Sequence, residues 1–270
     1  MKASEAGVLA GRTAVVTGTS ANIGGGIAVQ LARAGARVAC VDFHDVLAKS
    51  VAADIEREGG TSVGIQADIT NEASVGEALS AAASELGLID ILVNGAVVYN
   101  TKGVTTMPLG EWRKQLSVML DGALLCTQWV SKGLIAAGRP GSVINLISTA
   151  GHQGEPNNIG YTTAKGGLLN FTRSAAVELA ANGIRVNSVT PTATDMSEAA
   201  ERLERWGMPG PDAETLAVLE RAAAQVPLKR LPKPSDYGNA VVFLASDAAS
   251  MITGIDLRVD AGSVANYWRR

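Results

Sequence analysis

Short runs rich in β-branched and apolar residues alternate along this chain with longer stretches whose apolar positions recur at helical spacing. Thr13 to Thr17, Arg37 to Val41, Val63 to Ala67, Ile89 to Val93, Ser142 to Ile147, Ile184 to Val189 and Ile255 to Val259 read as strands. Ile23 to Ala34, Val46 to Arg57, Glu72 to Glu85, a region from about Pro108 to Ala137, Tyr161 to Ala181 and Pro234 to Ala245 read as helices. Glycines at 35, 59, 60, 87 and 183 follow the ends of four of them, where a left-handed residue can satisfy the last carbonyls. The stretch Asp195 to Ala224 breaks the rhythm with two helical pieces around a Pro/Gly interruption, Gly207 to Pro211.

Strands that alternate with helices of this length predict βαβ units. The fold class is therefore α/β: a doubly wound parallel sheet, Rossmann-like, with helices on both faces. No repeat or linker divides the chain, so one domain over 1–270 is expected, with a nucleotide half near 11–140 and a catalytic half near 141–265. Ligands in such folds bind beyond the carboxyl ends of the strands, which makes 195–225 a candidate substrate lid.

Composition narrows the picture. Charged residues make up 18%, below the roughly 25% of an average soluble protein, which suggests surface hidden between subunits. A net charge of −3 argues against a nucleic-acid partner. Only two histidines (His44, His152) and two cysteines (Cys40, Cys126) occur, with no CxxC or HxxxH spacing, so no metal site is expected. No run of 18 apolar residues exists, and Met1 to Ala10 does not read as a signal peptide. A cytoplasmic protein with no membrane association is the expectation.

The first strand runs into Thr17-Gly18-Thr19-Ser20-Ala21-Asn22-Ile23-Gly24. A glycine-rich turn between strand and helix lets backbone N–H groups approach a pyrophosphate at the positive helix end. Asp42 closes the second strand, eighteen residues beyond Gly24. A carboxylate there accepts both adenosine ribose hydroxyls and repels a 2′-phosphate. No Lys or Arg lies in Thr19 to Asn22 or directly after Asp42, so NAD is expected over NADP. Asp68 and Ile69 follow the third strand and suit the adenine amino group and ring, although Asp68 reads almost as well as a helix-terminal acid. Asn94, after the fourth strand, is expected to close the cleft, with Ala96 beside it.

Tyr161 and Lys165 stand at i and i+4, on one helix face. A nearby ammonium and an oxidised nicotinamide would draw the phenol down toward neutrality and make it an acid or base. Ser148 ends a strand thirteen residues earlier, where a hydroxyl can hold a substrate oxygen.

Together these segments resemble the short-chain dehydrogenase/reductases, single Rossmann domains of about 250 residues. The likeness covers roughly Gly11 to Gly262 and includes Ile184-Arg185-Val186-Asn187, Pro191, Pro227 to Leu231, Phe243 to Ser246 and Thr253-Gly254. It implies that Tyr161 is the general acid/base, Lys165 binds the nicotinamide ribose and lowers the tyrosine pKa, and Ser148 orients the substrate oxygen. Hydride then passes between substrate carbon and nicotinamide C4. Pro191 and Thr194 would flank the nicotinamide. The implied assembly is a homotetramer or dimer, consistent with apolar residues on more than one face of Leu120 to Ile135 and Gly166 to Leu179. The tail Tyr267 to Arg270 would pack on a neighbouring subunit or fray.

Several family positions differ. Asn22, Val97, Thr192 and Ala261 stand where the family has glycine, and Met119 where it carries an Asn that holds a helix kink and a relay water. Asn22 is expected to tolerate a left-handed backbone. The substrate pocket is expected among Val97, Val98, Tyr99, Thr149, His152, Tyr161, Thr192 and 197–208, with Val98, His152 and Trp206 as substrate contacts. No arginine cluster awaits an anion, so the substrate expected is a neutral, mostly apolar secondary alcohol or ketone. The rival readings are an NADPH-dependent biosynthetic ketoreductase and a non-catalytic nucleotide sensor on the same fold.

Overall fold

A computed structural model describes residues 7–266; the tail from Tyr267 to Arg270 lies outside them. Seven parallel strands form one sheet in the order β3-β2-β1-β4-β5-β6-β7. They are β1 Thr13–Thr17, β2 Arg37–Asp42, β3 Ser62–Gln66, β4 Ile91–Asn94, β5 Gly141–Leu146, β6 Ile184–Pro191 and β7 Asp256–Val259. The strand order reverses between β1 and β4, which pair from Ala14↔Ile91 to Thr17↔Asn94. Loops leaving such a pair diverge and open a crevice at the carboxyl edge.

The helices are α1 Ile23–Arg33, α2 Asp45–Arg57, α3 Glu72–Leu86, α4 Leu109–Leu116, α5 Gly122–Ala137, α6 Ile159–Leu179, α7 Ser197–Arg205, α8 Ala213–Gln225 and α9 Pro234–Ala245. Side chains alternate across each strand, so the sheet builds two cores. Ala14, Val16, Val38, Cys40 and Val93 pack with α1, α2 and α9 on one face. Val15, Ala39, Val41, Leu92 and Val143 pack with α3, α5 and α6 on the other. Because both faces are covered, the central strands read as continuous apolar runs.

The element boundaries fall within a residue or two of the sequence pattern. The exception is Pro108 to Ala137, which is not one regular helix. A π-helical turn over Ser117–Asp121 separates α4 from α5, centred on the buried Met119. The π-helical turn therefore forms with methionine at the position where the family carries Asn.

Of the four family glycines replaced here, only Ala261 occupies the left-handed region, at φ +53°. Asn22 has φ −89°, so the left-handed backbone expected for it is not required. The turn survives because residue 22 needs no positive φ. α7 and α8 differ in burial: α7 buries Ala199 and Arg202, whereas α8 buries no residue.

Candidate active site

At the crevice, β1 ends in Gly18 at φ +76°. A Cβ there would stand 2.6 Å from the Cα of Ala96, so the β1 and β4 loops meet backbone to backbone. A Cβ on Gly24 would stand 2.1 Å from the carbonyl oxygen of Gly18. This close packing leaves the amino end of α1 facing an open cleft. The amide oxygen of Asn22 in this turn is buried and has no hydrogen-bond partner within the chain, an acceptor that a bound ligand or water can satisfy.

Two cavities share Gly18 and Val97. The larger, about 640 Å³, is lined by Asp42, Asp68, Ile69, Ala96 and Val98 among others. Asp42 is nearly buried and accepts a hydrogen bond from the His44 N–H at 2.9 Å. Burial raises its carboxyl pKa, and that hydrogen bond opposes the rise. Asp68 takes the Thr70 N–H and hydroxyl at 2.9 and 2.7 Å, while Asn71 caps α3, so the helix-cap role falls to Asn71. Ile69 also reaches across to α5, its Cδ1 2.5 Å from where a Gly122 Cβ would lie.

Arg113 and Lys114 of α4 line the same cavity. Sequence reading passed over them, because they lie some seventy residues from Asp42 and only the fold brings α4 to this cleft. No local spacing signals that approach.

The smaller cavity, about 210 Å³, is lined by Asn22, Ile23, Gly24, Ser148, Tyr161, Lys165, Pro191 and Thr192. Residues from four segments thus converge on one space. Ser148 follows β5 with extended backbone, and its hydroxyl accepts the Ala150 N–H at 3.2 Å. Tyr161 lies in the first turn of α6 and hydrogen-bonds Ser148. Lys165, one turn on, is buried and donates from Nζ to the Leu146 carbonyl at 2.6 Å. Its Nζ lies 5.7 Å from the centre of the Tyr161 ring. The Tyr99 ring meets that of Tyr161 edge-on, with centroids 5.5 Å apart.

The electrostatics run against one sequence expectation. Burial lifts the Tyr161 phenol above its ordinary pKa; the Ser148 hydrogen bond pulls it down, and Glu155 and Tyr99 push it up. Burial lowers Lys165 to about 8. In the protein alone, desolvation outweighs the charge effect that was expected to depress the phenol.

Several expected site residues sit elsewhere. Asn94 lines neither cavity. It lies behind them, buried, donating from Nδ2 to Thr127 and Asn145 at 3.1 and 2.9 Å, and Asn145 continues to Thr172. This chain of amides and hydroxyls ties β4 and β5 to α5 and α6, so Asn94 does not close the cleft as expected. Thr194 is buried, with its hydroxyl held between the Thr192 carbonyl and the Tyr237 hydroxyl, each at 3.1 Å.

Val98 lines the larger cavity and not the one around Tyr161. His152 gives its Nε2 to Asp256 and Thr190, both at 3.1 Å, so that ring nitrogen is already committed within the protein. Trp206 packs on the α1/α2 core, and its indole N–H donates to Asp54 at 3.2 Å. Beside it, Arg205 pairs with Asp54 at 3.1 Å, and the buried Arg202 reaches the Ala21 carbonyl at 2.9 Å. Trp206, expected as a substrate contact, lines neither cavity: α7 faces the glycine-rich turn and α2, held there by Arg202, Arg205 and Trp206.

A protein-family model described as Enoyl-(Acyl carrier protein) reductase matches residues 18–264. A cis-4-hydroxycyclohexanecarboxylate dehydrogenase from Sinomonas cyclohexanicum is 37% identical over 94% of this chain and 97% of its own. A D-threitol dehydrogenase from Mycolicibacterium smegmatis is 35% identical over 94% and 93%. Among solved structures, a putative NAD(P) dependent gluconate 5-dehydrogenase from Beutenbergia cavernae, with NADP bound at low occupancy, superposes with a TM-score of 0.82. It is 32% identical, covering 96% of this chain and 98% of that one.

Proposed function

Because the chain belongs to the short-chain dehydrogenase/reductase family of oxidoreductases, we propose that it is an NAD(H)-dependent dehydrogenase of a neutral secondary alcohol or ketone. The observation that carries this reading is the convergence of Ser148, Tyr161 and Lys165 on one cavity that also contains the glycine-rich turn. The open amino end of α1, the Gly18–Ala96 approach and the unpartnered Asn22 oxygen fit a dinucleotide. Gly18, Asn22, Ile23 and Gly24 would hold the pyrophosphate side. Asp42 would hold the adenosine ribose, with Asp68, Ile69 and Ala96 along the adenine. Tyr161, Lys165, Pro191 and Thr194 would serve the nicotinamide side, Thr194 by way of Thr192. When bound, the nicotinamide gives or takes the hydride.

The chain's own residues manage the proton. Ser148 orients the reacting oxygen, and Tyr161 gives it a proton or takes one. Lys165 sits over the Tyr161 ring, where its charge favours the phenolate. Residues 195–225 serve as the substrate lid, hinged near Gly207 and Pro211 and anchored through α7.

The preference for NAD rests on Asp42. A second reading, NADP-dependent reduction, draws on Arg113 and Lys114 in the same cavity and on the relative with NADP bound. A panel of secondary alcohols with NAD or NADP, followed by formation of reduced nicotinamide, tests both. NAD is expected to be used better, and Asp42→Ala to narrow the gap. Equal or better turnover with NADP overturns the NAD assignment, and no turnover with either leaves the nucleotide-sensor reading.

The assembly proposed is a homotetramer or dimer of a soluble, cytoplasmic enzyme. Leu124 and Ile135 of α5 and Val177 of α6 are exposed, Val177 at 82%, and they offer an apolar face for a second copy. No helix among the described residues is long and apolar enough to cross a membrane. Sedimentation as a monomer would overturn the assembly.

A further inference from the structure

We propose that Arg202, on α7, is a positioning residue for the dinucleotide: its guanidinium fixes the glycine-rich turn in the shape that receives the pyrophosphate. This rests on the reading of the crevice as a dinucleotide site.

The starting point is the carbonyl of Ala21, inside the turn that precedes α1. The ladder of the helix begins on either side of it and leaves it out. The Gly25 N–H, four residues on, goes to the Ser20 carbonyl at 3.0 Å, and the Gly26 N–H goes to the Asn22 carbonyl at 3.0 Å. Among the described residues, no backbone N–H reaches the Ala21 carbonyl. Its donor is Arg202 Nη1 at 2.9 Å, 181 residues along the chain. Ala21 and Arg202 are both buried, and a buried carbonyl that loses its donor is costly.

The carbonyl matters because of its neighbours. Ser20 and Asn22 flank it, and both line the cavity that holds Ser148, Tyr161 and Lys165. Thr19 Oγ1 and Asn22 Oδ1 are buried in the same turn without partners, polar atoms left for a ligand or water. The turn has no slack. A Cβ on Gly24 would stand 2.1 Å from the Gly18 carbonyl oxygen, and one on Gly25 2.2 Å from that of Ser20. A rotated peptide at Ala21 therefore displaces Ser20 and Asn22. Arg202 lines neither cavity, so it acts through Ala21 and not by touching the cofactor.

The guanidinium comes from a braced helix. Glu198, one turn earlier, accepts from Arg202 Nη2 at 3.5 Å, from the Ser235 N–H at 3.2 Å and from the Ser235 hydroxyl. Arg205 and Trp206 donate to the buried Asp54 of α2 at 3.1 and 3.2 Å. The planar fork of Arg202 serves the carbonyl and the carboxylate together, a geometry that suits arginine.

The test compares the dissociation constants of ADP-ribose, which carries the pyrophosphate, and adenosine, which does not. They are measured by calorimetry on the full-length wild type, Arg202→Met and Arg205→Met. Arg205→Met loosens α7 but leaves the Ala21 carbonyl bonded, and Asp54 keeps Arg57 and Trp206. In Arg202→Met, ADP-ribose affinity is expected to fall about tenfold, the scale of one hydrogen bond from a charged donor. Adenosine in that variant, and both ligands in Arg205→Met, should stay within about twofold of wild type. If Arg202→Met does not fold, Arg202→Lys, which keeps the charge and one donor, is read in the same way, with a loss of about threefold for ADP-ribose alone. Unchanged ADP-ribose affinity in the Arg202 variant overturns the proposal. So does an equal loss for adenosine, or an equal loss in Arg205→Met, since a merely structural role for α7 would give either. A wild type that binds ADP-ribose no better than adenosine overturns the dinucleotide reading instead.

Discussion

The two ends of the crevice are built from different materials. At the end proposed for the nucleotide the shape is backbone: Gly18 approaches Ala96, Gly24 approaches the Gly18 carbonyl, and two acids, Asp42 and Asp68, line the cavity. At the end proposed for the reaction the site is side chains: Ser148, Tyr161 and Lys165 meet from β5 and α6, and burial shifts the proton affinities of Tyr161 and Lys165. A backbone site fails when a side chain is added. A side-chain site fails when one is removed or its environment is changed. The difference also separates binding from turnover, since each end is expected to control one of them.

The largest test removes the phenol. Tyr161→Phe is expected to lower turnover by about 10²- to 10⁴-fold, the usual scale of acid–base catalysis, while cofactor binding measured by fluorescence titration stays close to wild type. Retained turnover would remove Tyr161 from its proposed role.

Next comes Ser148→Ala. Loss of a hydroxyl that stabilises developing charge costs about 10²- to 10³-fold in kcat in comparable sites. The pH dependence carries the sharper sign. Alcohol oxidation needs the phenolate, so its rate rises with pH as Tyr161 loses its proton. Burial already raises that pKa, and the Ser148 hydrogen bond is the term that lowers it. Ser148→Ala should therefore displace the rising limb to higher pH. A limb that moves to lower pH would contradict the assigned hydrogen bond.

Gly18→Ala tests the other end. A non-glycine residue at φ +76° is strained, and its Cβ meets the Ala96 backbone. Cofactor affinity is expected to fall about 10- to 100-fold, from a strain of about 1–3 kcal/mol, with kcat at saturation less affected. An equal loss in kcat with unchanged affinity would erase the contrast between the two ends.

The smallest test lies outside both ends. Ala261 holds φ +53° where its family carries glycine. Ala261→Gly should stabilise the protein by about 1 kcal/mol, a rise of about 2–4 °C in thermal midpoint, with kcat and cofactor affinity unchanged. A lower midpoint would show that the alanine methyl contributes more in packing than the backbone loses in strain.

Much of the site was legible because its signals are local. The turn from Gly18 to Gly24 announces itself between a β-branched run and a helical one. The spacing of Tyr161 and Lys165 is a property of any helix. What misled was distance in sequence. Trp206 looked like a pocket residue because large apolar side chains suit pockets, yet Asp54, a buried acid on α2, draws it to the other side of α7. His152 looked available until β7 brought Asp256 beside it. Asn94 ended a strand at the cleft, but its amide points along a buried chain between helices. Met119 stands where the family carries its kink-holding asparagine, and the π-helical turn forms without that asparagine.

The sequence by itself determined the alternation of strands and helices, the two-sided burial of the sheet, the glycine turn and the spacing that sets Tyr161 and Lys165 on one helix face. Those features follow from periodicity and spacing within a few dozen residues, where chain geometry alone sets what can meet. Only the tertiary structure decided which charges act on Tyr161, that Arg113 and Lys114 border the cavity that Asp42 lines, and that α7 is held by the glycine turn and α2. These depend on contacts between residues far apart in the chain. Such contacts also set the burial that moves Tyr161 and Lys165 from their ordinary proton affinities.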